Sequence, residues 1–180
     1  TISSQDSIIN ALNNQINPPF ECGVNKVTDH EGNVYNTVKI GNQCWTRENM
    51  RCTTSPSTGT TILENSRTLS FSGKKAYYVN GESSNTAQYG LWYNWNAAVD
   101  TFNTSYGETS TSTATNDAVR VTFSGNRRGI CPQGWHVPST DEFTQLTDYV
   151  SSQGKYICYG EVTNIARALA STMGWNMSEN

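Results

Sequence analysis

Cys131 and His136 stand five residues apart in the run Gly129–Val150, GICPQGWHVPSTDEFTQLTDYV. A thiol beside an imidazole is the raw material of a cysteine nucleophile. Pro132 stiffens the backbone next to the thiol, and a disulfide role competes for Cys131, so the reading goes against a dyad. The two acidic residues nearby, Asp141 and Glu142, are accounted for by helix capping and the helix dipole. The chain has five cysteines, Cys22, Cys44, Cys52, Cys131 and Cys158, with no CxxC pair, and only two histidines. That dispersal argues against zinc and for disulfides formed in an oxidising compartment, so all five are disulfide candidates. The odd number leaves one thiol without a partner inside this chain. Neither standard glycine-rich phosphate loop is present. No catalytic residue, metal or cofactor is expected.

Binding is the other chemistry on offer. Tyr89, Trp92, Tyr93 and Trp95 crowd into seven residues, and aromatic faces can stack on the C–H face of a sugar. The competing reading is core, with Trp92 and Trp95 on one side if the stretch is helical. Tyr93 is the member expected to be exposed, with Trp95 a second ligand candidate. Arg47, beside Glu48, is a third candidate for a carboxylate or sugar; against it stands an Arg47–Glu48 ion pair holding a loop to a sheet. His30 and the Arg127-Arg128 pair read as solvated. Sequons at Asn103 and Asn176, and the short glycosylation-like triplet Asp6-Ser7-Ile8, carry little weight.

These residues need elements to hold them. Ser139 and Glu142 form a capping box ahead of Phe143, Leu146, Tyr149 and Val150, which share one helical face. Trp135, between Pro132 and Pro138, reads as a core plug, and Gly154 as a helix stop. Residues 1–19 read as an N-terminal helix cut off by Pro18-Pro19: Ile2, Ile9 and Ile16 recur every seven residues, with Gln5 and Leu12 between. This is either an amphipathic helix packed on the domain or the end of a coiled-coil stalk. Val34, Asn36, Val38 and Ile40 alternate as the buried side of a strand, and Gly41-Asn42 supplies a two-residue hairpin turn. Tyr77–Val79 and Ala118–Phe123 read as strands, Thr109–Thr115 as a surface loop, and the residues from Thr163 to Gly174 as a second helix.

The chain has 180 residues, enough for one domain after the first helix, taken as 20–180. Only 15% of residues are charged and the net charge is −3, so Ser, Thr, Asn and Gln must solvate the surface and no basic footprint for nucleic acid exists. No apolar run approaches the ~20 residues that span a bilayer.

The run at Gly129, with Asp29–Ile40 (DHEGNVYNTVKI), Gly41–Met50 (GNQCWTRENM), Tyr89–Ala98 (YGLWYNWNAA) and Ile165–Trp175 (IARALASTMGW), resembles the Fibrobacter succinogenes major paralogous domain of Bacteroidetes surface proteins. The resemblance implies an α+β, C-type lectin-like fold: two helices, a small irregular antiparallel sheet and long loops. It implies an extracellular or outer-membrane-surface location and adhesin-like binding of a glycan or a surface protein. Members usually run on through a further cysteine-containing strand and a Tyr-rich segment, the kind that resembles targets of diversity-generating retroelements. This chain is therefore expected to lack that C-terminal part, with the partners of Cys131 and Cys158 in it. Two other roles stay open: a pilus or filament subunit, homo-oligomeric through the N-terminal helix, and an oxidase like the formylglycine-generating enzymes. The copper-binding cysteine pair of those enzymes has no match here.

Overall fold

The computed structural model describes residues 4–16, 18–65, 73–101, 109–112, 119–122, 125–153 and 169. Cys158, Trp175 and all but Leu169 of the expected second helix lie outside them. Helix α1 (Ser4–Ile16) carries Asp6 in its first turn, where the helix dipole favours an acid. Residues 4–15 are all exposed, including Ile8, Ile9 and Leu12.

The first layer of the domain is two hairpins. Strands β1 (Val27–Thr28) and β2 (Val34–Tyr35) pair antiparallel around a turn built on Asp29. Its buried carboxylate accepts from the amides of Glu31 and Asn33, from Asn33 Nδ2 and from the Tyr35 hydroxyl at 2.7 Å. Strands β3 (Thr37–Ile40) and β4 (Gln43–Thr46) close on Gly41-Asn42, with Ile40 opposite Gln43. Gly41 has φ +60° and is the only left-handed residue of that turn, as a II′ turn requires. The expected buried side is reversed over residues 34–37 and kept over 38–40, where Val38 and Ile40 are half-buried and Lys39 is exposed. Val34 is exposed while Tyr35 and Thr37 are buried, and the strand breaks at Asn36. Polar tethers outrank aliphatic alternation here. The Tyr35 hydroxyl serves Asp29, and Thr37 Oγ1 takes the Gly23 amide while donating to the Asn25 carbonyl. The Cys22–Cys44 disulfide clips the incoming segment to β4 with 5.8 Å between Cα atoms. Closing a loop whose ends are 22 residues apart stabilises the fold by about 3 kcal/mol.

The second layer is a three-stranded sheet in the order β5 (Leu63–Glu64), β6 (Ala76–Tyr78), β7 (Leu91–Tyr93); β5 runs parallel to β6 and β7 antiparallel to it. Ile62, Ala76, Leu91 and Ala97 form its core, flanked by Leu63, Tyr78 and Tyr93. Short helices α2 (Thr86–Tyr89) and α3 (Trp95–Ala98) bracket β7. Thr109–Ser112, expected as a loop, is instead strand β8, paired antiparallel with β9 (Val119–Thr122). The alternating β-branched threonines explain why that run accepts a strand.

Helix α4 (Thr140–Ser152) begins with the capping box read from the sequence. Ser139 Oγ accepts from the Glu142 amide, and Glu142 Oε2 accepts from the Ser139 amide at 2.8 Å. Leu146 and Val150 are buried; Phe143 and Tyr149 lean on the β3–β4 hairpin instead. The Phe143 ring lies 5.5 Å from that of Trp45, the Tyr149 ring covers Gly41, and Gln43 Nε2 donates to the Glu142 carbonyl. Trp135 is only half-buried and meets Phe20 edge-on at 6.0 Å, a lid contact rather than a core plug.

The segment entering α4 crosses the end of α3 with no room to spare. Ile130 donates its amide to the Ala98 carbonyl, and Gly129 sits at φ +55° where a Cβ would lie 2.0 Å from that oxygen. Gly129→Ala combines a backbone clash with a left-handed strain, so it should destabilise the fold by more than about 1 kcal/mol. Gly134→Ala, also left-handed but in open space, should cost less. Thermal melts of the two variants side by side check the ranking.

Candidate functional site

Strand β7 sorts the aromatic cluster. Strand side chains alternate, so Leu91 and Tyr93 turn inward and Trp92 turns out, 49% exposed. Trp95 opens α3 behind the Asn94 cap, whose Oδ1 accepts the Ala97 amide at 3.0 Å, and is 54% exposed. The helical spacing anticipated for Trp92 and Trp95 gives way to a strand followed by a helix, yet both indoles reach the surface. Tyr93, expected to be the exposed member, is not: its hydroxyl donates to the Cys52 carbonyl at 2.8 Å, and burial pushes it well above the usual tyrosine range. Arg47 is exposed and gives only its backbone amide to Asn36. Glu48 does not pair with it; its carboxylate takes the Asn36 amide and Nδ2, both at 2.7 Å. Hydrogen bonds rather than an ion pair hold that loop. Of the three ligand candidates, Trp95 presents its ring, Arg47 lies exposed in the turn after β4, and Tyr93 belongs to the frame.

The cysteines divide. Cys22 and Cys44 are joined, while Cys52 and Cys131 carry free thiols. Burial pushes Cys52 up to about 12 and Cys131 up to about 11, so both stay protonated near neutrality and are poor nucleophiles. His136 turns its Nε2 to Glu142 Oε1 at 2.8 Å rather than to Cys131. His30, expected to be solvated, places Nε2 3.0 Å from Thr54 Oγ1. Among the described residues no group of three or more His, Cys, Asp or Glu could hold a metal, and no helix is long and apolar enough to cross a membrane.

Sequence reasoning missed the polar centre of the domain. Asp100, left-handed at φ +48°, is buried with Lys74, Ser55 and Ser57 around it. Lys74 Nζ donates to Asp100 Oδ1 at 2.6 Å, Ser55 Oγ at 3.0 Å and Ser57 Oγ at 3.1 Å. Ser55 Oγ also donates to Asp100 Oδ1, and the Ser57 amide to Oδ2. A serine beside a lysine suggests a nucleophile and its base. Donation to three acceptors, however, uses all three hydrogens of an ammonium, which has no lone pair to take a proton. The cluster is a strut. Arg127, read as solvated, is 2% exposed and donates from Nε to the Val99 carbonyl and from Nη2 to the Asp100 carbonyl. The partners of Asp100 come from up to 45 residues away, so no local pattern could announce them.

A small mixed α+β domain with short sheets, a disulfide clip and two exposed tryptophans is thus defined. Its particular kind follows from the sequence as a whole: residues 38–178 match the family model of the Fibrobacter succinogenes major domain, and the chain belongs to that family. No curated protein and no solved structure matches it.

Burial by itself would raise the Asp100 carboxyl; the bonds from Lys74, Ser55 and Ser57 overrule it and hold the group below its ordinary 3.8. The native state therefore binds this proton less readily than the unfolded chain. The resulting stability is present above that value and lost as pH falls through the lower folded one. Lys74→Met should destabilise the fold at neutral pH by about 3 kcal/mol and show a shallower acid loss than the wild type below about pH 4. Urea melts of both chains across that range measure the difference.

Proposed function

We propose that this domain is a recognition module displayed on the cell surface or secreted, with a C-type lectin-like frame, that binds a ligand and performs no reaction. The observation that carries the reading is the pair Trp92 and Trp95, two large apolar rings left half-exposed on a frame fixed by polar struts. Exposed tryptophans three residues apart in the chain are costly to solvate, and they are the residues that anchor binding interfaces. Their indole faces suit the C–H faces of sugar rings, so the ligand is a glycan. The Cys22–Cys44 disulfide agrees with an oxidising, extracytoplasmic setting. The raised thiols and the ammonium at the serine cluster favour binding over catalysis.

On a glycan array the wild-type chain should bind a defined set of saccharides, and Trp92→Ala with Trp95→Ala should weaken binding at least about tenfold, or ~1.4 kcal/mol, with an unchanged melting temperature. Silence of a folded sample across glycan and protein arrays would sink the recognition role.

A second reading, a filament or stalk subunit, is favoured by α1 alone. Ile8, Ile9 and Leu12 are exposed on a helix of 13 residues, which is too short to be stable by itself in water and gains from pairing with a second copy. Light scattering after size exclusion should then show an oligomer, reduced to monomer by Ile9→Lys. A wild-type monomer at all concentrations rules this reading out.

A further inference from the structure

On the side of the domain leading into α4, Asn126, Arg128, Gln133, Gly134, Trp135 and His136 line an open cleft of about 340 Å³. We infer that this cleft is a binding site for a carboxylate-bearing sugar, a uronic acid or a similar acidic saccharide. The inference rests on the glycan-recognition reading above and names a class of ligand and a place that reading does not.

The polar groups around the cleft are built to receive something. Arg128 spends Nε on the Cys131 carbonyl at 3.0 Å, which fixes its fork, while Nη1 and Nη2 make no hydrogen bond among the described residues. A guanidinium fixed in that way presents two parallel donors matched to a carboxylate. His136 is oriented by Glu142, whose carboxylate is already held below its ordinary value by the Ser139 amide first and His136 after it. Because that ionised carboxylate can only accept, His136 Nε2 carries the hydrogen, and Nδ1, the other ring nitrogen, makes no hydrogen bond among the described residues. Asn126 and Gln133 are exposed side-chain amides with both a donor and an acceptor to offer. Trp135, steadied edge-on by Phe20 at 6.0 Å, supplies the apolar wall. Gly134, left-handed with no atom within 4 Å of where its Cβ would be, keeps the mouth open. One cation, several bifunctional polar groups and one aromatic plate are what an acidic sugar requires. A neutral sugar would leave the Arg128 fork unused, and a bare carboxylate would leave the amides and the indole unused. The volume falls within the range of small-ligand sites.

Titration calorimetry with glucuronic acid, glucose and acetate separates these cases, since glucose differs from glucuronic acid at the carboxylate carbon alone and acetate is the carboxylate without the ring. Glucuronic acid should bind at least about tenfold more tightly than either, Arg128→Gln should bring it to parity with glucose, and Arg128→Lys should restore only part of the preference. Near-UV circular dichroism checks that Arg128→Gln leaves the fold intact. The same titration on a Trp92→Ala, Trp95→Ala chain keeps the two sites apart. Glucuronic acid binding that persists there and shifts the Trp135 indole N–H resonance supports the cleft. Binding lost there but untouched by Arg128→Gln overturns the cleft and leaves the tryptophan reading standing. Acetate as tight as glucuronic acid overturns the sugar class, and a folded chain that binds neither glucuronic acid nor glucose overturns the cleft, while the glycan array decides the tryptophan reading by itself.

Discussion

The contact between Lys74 and Asp100 is the constraint on which the second layer depends. Two opposite charges removed from water are costly to bury, and they are tolerated only where geometry is close and every remaining hydrogen-bonding site is used. Here the carboxylate is shared among an ammonium, a hydroxyl and an amide, while Arg127 holds the carbonyl of the same residue. The segment around Ser55, the start of β6 and the end of α3 therefore converge on one side chain. Asp100 can occupy a left-handed conformation because its surroundings over-determine it, a strain that loosely held residues avoid. The sheet β5–β6–β7, and with it the orientation of Trp92, is referenced to that point.

The first layer is fixed by different means. Asp29 gathers its own turn and the Tyr35 hydroxyl, which in turn accepts the Arg51 amide while the Arg51 guanidinium covers the Tyr35 ring at 4.7 Å. Glu31 accepts the amides of Thr53 and Thr54, so the β1–β2 turn and the strand-less stretch after β4 are stitched together by carboxylates. The hairpin β3–β4 then receives α4 through Trp45, Gly41 and Gln43. A chain with few aliphatic residues builds order from satisfied polar groups wherever its apolar core is thin, and those bonds are worth most where water is excluded.

How much of this the sequence disclosed depended on range. The Ser139–Glu142 capping box, the Gly41-Asn42 turn and the Pro18-Pro19 stop are written within four residues, and all are found where they were expected. The alternation held over residues 38–40 and misled over 34–37, because periodicity weighs aliphatic character and knows nothing of the tether between Tyr35 and Asp29. The aromatic cluster was located but sorted wrongly. A helical period was applied to a strand, which exchanged the roles of Trp92 and Tyr93. Arg127 and Asp100 were opaque for a deeper reason: their partners are brought together only by the folded topology. Family membership was readable because it rests on many short patterns in order rather than on any single contact.

The alternation in β7 has a consequence for how such a domain can change. Tyr93 and Leu91 answer to the interior, whereas Trp92 between them turns outward and is half-exposed. Exchange at the outward position leaves the inward bonds as they were, so the face can be rewritten residue by residue without renegotiating the scaffold. Sequence change at the surface and integrity of the frame are thereby uncoupled along a single strand.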